Sequence, residues 1–179
     1  VDSRPEIGAW SDGVVYVDTN GNFTFDPENA DFTNRDIVYT LGAYCEQVFA
    51  GNFAAAGQQA DGFDKLASYG PACGGVARWL IDTDNDGVPN LTVYDAAGIP
   101  GTPVAGEFDG CLENGDEVGV FSGRDFWLDT NHNFRVDKRV STPIRGAPMV
   151  GDFDGDGLDD FATWRYDVFF FDLAHNGFG

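Results

Sequence analysis

The stretch Val150-Gly151-Asp152-Phe153-Asp154-Gly155-Asp156-Gly157-Leu158-Asp159-Asp160-Phe161-Ala162-Thr163-Trp164 decides the fold. It begins as a short apolar run, crosses a loop of alternating carboxylates and enters a second run of acid, apolar, small, variable and aromatic residues. That five-residue order recurs at residues 6–10 and 117–121, and more weakly at 65–69. After each copy comes an apolar run that ends in aspartate, at residues 14–18, 78–82, 126–129 and 169–172. In three copies the two acids stand twelve residues apart: Glu6 and Asp18, Glu117 and Asp129, Asp160 and Asp172.

Working outward, a further apolar run precedes the motif at residues 48–53, 104–108 and 150–153. Another follows at 36–40, 90–94 and 138–142. The unit is therefore four short strands, a to d, with β-branched and aromatic residues bounded by Gly, Asn and Asp. Four-strand units at this period are the mark of propeller blades, each needing a neighbour to bury its faces. The expectation is an all-β chain of about four blades of antiparallel strands, with repeats near 1–43, 44–101, 102–146 and 147–179. A β-sandwich gives similar strand counts but not the same residues in the same register four times. The nearest approach to a helical period, residues 53–60, is short and interrupted by glycine. The first repeat lacks strand a and the last lacks strand d. A longer propeller, an open arc or a ring completed by another chain or domain is therefore expected.

The formal charge of −20 argues against nucleic acid and against anionic membranes. No apolar run is long enough to span a bilayer. So many carboxylates either spread over a solvated surface or hold cations, and their spacing favours cations. From Asp152, carboxylates fall at the first, third, fifth and ninth positions (Asp152, Asp154, Asp156, Asp160), with Gly157 sixth and the Leu158 carbonyl seventh. Ca2+ is a hard cation that takes six to eight oxygens from such a loop. Asp82, Asp84, Asp86 and Asn90 repeat the spacing between strands c and d, with Val88 as the carbonyl donor. Asp129, Asn131, Asn133 and Asp137 do so too, as do Asp18, Asn20, Asn22 and Asp26, but phenylalanine replaces the turn glycine there. Such Asn/Asp-rich loops also form without metal, because these side chains bond their own backbone. Glu107, Asp109 and Glu117 form a further set, whereas Lys65 opposes a cation in its own loop. Several Ca2+ sites are expected.

In an up-and-down blade the a–b and c–d loops leave at one end, so all of these loops share one face. Cys45 and Cys73 lie at the other end, and a Cys45–Cys73 disulfide with free Cys111 is expected; three unpaired thiols are the alternative.

Residues 150–160, followed by a strand ending in Trp164, resemble the FG-GAP/VCBS repeats of integrin-α-like propellers. The run Phe126-Trp127-Leu128-Asp129-Thr130-Asn131 resembles a strand of bacterial surface versions. The resemblance implies Ca2+ on Asp152, Asp154, Asp156 and Asp160, an extracellular or cell-surface location, and a protein or glycan partner. It does not cover the c–d loops. The function expected is non-catalytic adhesion, recognition or scaffolding. Glycan stacking on Trp10, Tyr69, Phe121 and Trp164 is the alternative, and a polysaccharide-acting enzyme a more remote one. His132 and His175 read as solvated turn residues, and no nucleophile elbow, phosphate loop or zinc signature occurs.

Overall fold

The computed structural model describes residues 7–29, 31 and 35–178; Glu6, the first acid of the first repeat, lies outside them. The chain is all-β, with four small antiparallel sheets and no helix among the described residues. Residues 53–60 form a loop whose Phe53 and Ala54 are buried.

The first sheet holds β1 (Ile7–Ser11), β2 (Val14–Asp18) and β3 (Ile37–Thr40). The second holds β4 (Gln47–Gly51), β5 (Lys65–Gly70), β6 (Ala77–Ile81) and β7 (Leu91–Asp95). The third holds β8 (Thr102–Gly106), β9 (Glu117–Ser122), β10 (Asp125–Leu128) and β11 (Lys138–Ser141). The fourth holds β12 (Ala147–Gly151), β13 (Asp160–Arg165) and β14 (Val168–Asp172). Each is a meander in chain order, and each draws its strands from one sequence repeat. The register repeats as well: Gly51 faces Lys65, Gly106 faces Glu117 and Gly151 faces Asp160.

The sheets stack in chain order. One core lies between the second and third, with Phe53, Trp79 and Ile81 against Val118, Val120 and Phe134. A second lies between the third and fourth, with Phe121, Phe126 and Leu128 against Phe161. The strand-a elements β4, β8 and β12 run side by side. The glycines that end them mark the closest approach. A Cβ on Gly51 would lie 2.7 Å from Ala105 Cβ, and one on Gly106 would lie 2.7 Å from Val150. The first sheet meets the second through Tyr39, whose ring lies against Gly87. Among the described residues the sheets do not close into a barrel or ring. Cys45 and Cys73 are bonded, with Cα atoms 5.4 Å apart, and Cys111 is free and exposed.

Candidate metal centres

The four loops with the first-third-fifth spacing, together with the Asp172 loop, which has alanine in third place, share one backbone shape, and their first aspartate makes it. Asp152 Oδ1 accepts Gly155 N–H at 2.6 Å and its Oδ2 accepts Gly157 N–H at 3.1 Å. Asp82 accepts Asn85 N–H and Gly87 N–H, both at 2.9 Å. Asp18 accepts Gly21 N–H at 2.8 Å and Phe23 N–H at 2.7 Å. Asp129 accepts Asn131 N–H at 3.1 Å and Phe134 N–H at 2.6 Å. Asp172 accepts Asn176 N–H at 3.0 Å and Gly177 N–H at 2.7 Å. In every loop the residues three and five places on have left-handed φ angles, including Phe23 at 61° and Phe134 at 59°. Phenylalanine at the sixth position therefore does not abolish the turn. The loop fold is built by carboxylate-to-backbone bonds, and the capacity for metal is a separate property of the third and fifth side chains.

That property separates the loops. Asp152, Asp154 and Asp156 bring carboxylate oxygens within 4.8 Å of one another, as do Asp82, Asp84 and Asp86. Both sets are all-oxygen and so suit a hard cation. Asp82 is buried, and burial pushes its carboxyl above the ordinary value. Leu158 donates its N–H to Asp156 Oδ1 at 2.9 Å, and Val88 donates to Asp86 Oδ1 at 2.8 Å.

The ninth-position residues each make a hydrogen bond within their own loop. Asp160 turns Oδ2 to Phe153 N–H at 2.8 Å, while its Oδ1 has no hydrogen-bond partner and lies 3.2 Å from His175 Nε2. Asn90 Oδ1 caps Thr83 N–H and Oγ1, both at 2.9 Å.

The asparagine-bearing loops gather no carboxylate triplet among the described residues. Asn131 Nδ2 donates to Asp137, which also accepts Thr130 Oγ1–H at 2.8 Å, and Asn133 is exposed. Asn20 Nδ2 lies 3.3 Å from Asp26 Oδ1, and Asn22 Oδ1 accepts Thr24 N–H at 2.6 Å. Buried Asp36, outside the predicted set, accepts Asp26 N–H at 2.7 Å and Thr19 N–H at 3.1 Å. The Asn20, Asn22 and Asn131 side-chain amides take part in the hydrogen bonds of their own turns.

Glu107, Asp109 and Glu117 also lie within 4.8 Å of one another, and both glutamates are buried. Glu107 Oε1 accepts Gly110 N–H at 2.7 Å and Cys111 N–H at 2.9 Å. Burial, then the Glu117 charge, push Glu107 up to about 7. His132 is not a solvated turn residue. Its buried ring reaches Glu117 Oε1 through Nδ1 and the Ala54 carbonyl through Nε2, each at 3.1 Å. A carbonyl only accepts, so Nε2 carries hydrogen; the Glu117 bond draws a second proton onto Nδ1 and raises the histidine pKa. His175 stands beside Asp160 in the corresponding place.

In the second sheet, Lys65 occupies the Glu117 and Asp160 position. Its fully buried ammonium contacts Asn52 Oδ1 at 3.2 Å and the Asp61 carboxylate. This loop carries a cation of its own. His132 spans the second and third sheets, which places the a–b loop of one and the loops of the next at the same end of the stack.

Two carboxylates that the spacing did not single out join the sheets. Asp116 Oδ2 accepts Asn52 N–H at 2.8 Å, and its N–H donates to Asn52 O at 3.1 Å. Asp159 repeats this on Glu107, at 2.8 and 3.2 Å. Their signal was the acid directly before the first acid of strand b. Of the aromatics considered for glycan stacking, Tyr69 and Phe121 are buried and Trp10 Nε1 donates to Leu41 O at 2.9 Å; Trp164 remains exposed.

No known protein-family model matches the chain, and neither the curated proteins nor the solved structures include a significant match.

Proposed function

We propose that the chain is an arc of calcium-binding propeller blades, a non-catalytic extracellular module for adhesion, recognition or scaffolding. The observation that carries this is the set of three carboxylate triplets on loops of successive stacked sheets. Such triplets repel themselves unless a cation joins them. The donors at Asp82–Asp86 and Asp152–Asp156 are hard oxygens without sulfur or imidazole, the set calcium prefers. Lys65 supplies an ammonium where the other repeats place a carboxylate, which supports a need for positive charge at that point of the blade.

The FG-GAP/VCBS likeness extends over nearly the whole chain in four copies, is most specific at residues 152–160, and supports the same reading. Cation binding would hold the a–b and c–d loops rigid and leave the rim and the opposite end for a protein or glycan partner. Exposed Trp164 is the one stacking residue that still favours a glycan.

Isothermal titration of the chelator-treated chain with calcium, then with magnesium, tests the metal assignment. Two or more calcium sites with magnesium weaker are expected. No heat and no calcium dependence of unfolding would refute it.

A further inference from the structure

The a–b loop of the second sheet has no acid at the two positions where the other a–b loops begin and end with one. The register fixes the equivalence. Gly51, Gly106 and Gly151 face Lys65, Glu117 and Asp160. The residues after those glycines are Asn52, Glu107 and Asp152. Asn52 and Lys65 therefore replace the first and last acids. A carboxamide and an amine stand where the third and fourth sheets place two carboxylates.

The amine is out of water. Lys65 is one of two lysines in the chain, and Lys138 is exposed. The Lys65 side chain is 1% exposed, whereas its ion-pair partner Asp61 is 54% exposed. Lysine heads ordinarily stay in solvent, and Asp61 can be met there. Instead Nζ points inward and donates to Asn52 Oδ1 at 3.2 Å while it contacts the Asp61 carboxylate. Both partners are pinned by other groups. Asn52 N–H donates to Asp116 Oδ2 at 2.8 Å, and Asn52 O accepts Asp116 N–H at 3.1 Å. Ala60 N–H donates to Glu113 O at 2.9 Å, and Asp61 Oδ1 accepts Phe63 N–H at 3.0 Å. An amine held against a carbonyl, with a carboxylate beside it, is a near-attack arrangement, and well-oriented pairs of this kind reach effective molarities of about 10⁵–10⁸ M.

We infer that Lys65 Nζ and Asn52 Cγ form an isopeptide bond, with Asp61 carrying the protons. The Asp61 carboxylate takes one proton from the ammonium. The freed lone pair attacks Asn52 Cγ, and the Nζ–Cγ bond forms. Asp61 passes its proton to Nδ2, the Cγ–Nδ2 bond breaks, and ammonia leaves. Asp61 accepts the remaining excess proton from Nζ and releases it to solvent. The sum is an ammonium and a carboxamide giving a secondary amide and an ammonium ion, with no oxidant or cofactor. Asn52 is the acyl donor because its carboxamide is neutral, whereas the negative charge on Asp61 repels a nucleophile and suits a base. The new amide N–H still faces Asp61. The bond closes residues 52–65 into a covalent ring across the two positions that are acidic in the third and fourth sheets. The inference rests on the strand register and on these contacts, not on calcium.

Intact-mass spectrometry of the reduced, denatured parent tests it. The mass should fall short of the sequence mass by one ammonia. Trypsin should then give residues 36–78 as one peptide, because an acylated lysine is not cleaved. Lys65→Arg and Asp61→Ala should keep their full sequence masses. Asn52→Asp should lose one water instead and arrive at the same mass as the reacted parent, since both give the same amide. A parent of full mass that is cleaved after Lys65 overturns the inference. A deficit of one water in the parent, which would mark Asp61 as the acyl donor, also overturns it. So does an ammonia deficit that survives Lys65→Arg, because cyclisation at an Asn-Gly pair such as Asn20-Gly21 also releases ammonia yet leaves Lys65 cleavable. The parent and Asn52→Asp masses decide the matter even where Asp61→Ala fails to fold. A full-mass parent with an intact calcium titration sinks this inference alone, and the ammonia deficit without calcium binding sinks the metal assignment alone.

Discussion

Asp154→Asn should change the sign of its effect on stability with calcium. Asp152, Asp154 and Asp156 are all exposed and hold carboxylate oxygens within 4.8 Å of one another. At that distance in water two unit charges repel by about 0.9 kcal/mol, so Asp154 opposes its two neighbours by about 1.7 kcal/mol. Physiological salt reduces this to about 1 kcal/mol. Asparagine keeps the Oδ1 that accepts Asp156 N–H at 3.1 Å, so the loop turn survives. In chelator the variant should therefore melt about 2–4 °C above the parent. With calcium at one hundred times its dissociation constant, an intact site adds about 2.7 kcal/mol. Losing a charged ligand removes most of that, and the variant should then melt several degrees below the parent. Four calorimetric scans, two proteins each in chelator and in calcium, read the crossing. A variant less stable than the parent in chelator, or an equal calcium shift in both, would refute the reasoning.

Asp159→Ala strands the Glu107 N–H it caps at 2.8 Å and should cost about 1–3 kcal/mol by urea unfolding, whereas Asp159→Asn keeps an acceptor and should cost under about 0.5 kcal/mol. Glu107 is raised from 4.5 to about 7 in the fold, so between those pH values the folded state holds a proton that the unfolded state has released. Stability in chelator should therefore fall as pH rises from about 4.5 to 7, and the raised His132 acts in the same direction. The calcium increment should grow over the same window, because the ligand must be ionised; urea midpoints against pH with and without calcium check both trends. Reducing Cys45–Cys73, separated by 28 residues, frees a loop whose closure is worth about 3.5 kcal/mol and should lower the melting temperature by about 10 °C.

The sequence by itself determined the strands, their order and the loop chemistry. Those are local properties. Alternation within runs such as Val14-Val15-Tyr16-Val17, glycine and aspartate at the turns, and the acid-to-acid interval each act over a dozen residues and recur in register. The structure places β1–β14 at those runs, with β8 and β12 beginning two and three residues earlier than the runs do, and the Asp82 and Asp152 loops show the triplets that their spacing demanded.

Tertiary structure decided what each side chain does once neighbouring sheets are in place. The spacing put Asp160 and Asn90 among the ligands; in the fold Phe153 N–H bonds Asp160 Oδ2 and leaves its Oδ1 without a hydrogen-bond partner, while Thr83 bonds Asn90 Oδ1. His132 lies in a turn by sequence, but stacking of the third sheet on the second buries it between Glu117 and the Ala54 carbonyl, 78 residues away along the chain. Asp116 and Asp159 share a position, directly before the first acid of strand b, but their role was hidden because their partners, Asn52 and Glu107, belong to the preceding repeat. Equivalent aromatics such as Trp79 and Phe169 read alike in sequence, yet Trp79 is buried against the third sheet while Phe169 is exposed. A repeat specifies its own strands through local pattern, whereas burial, proton sharing and the ligand set depend on which neighbour it meets.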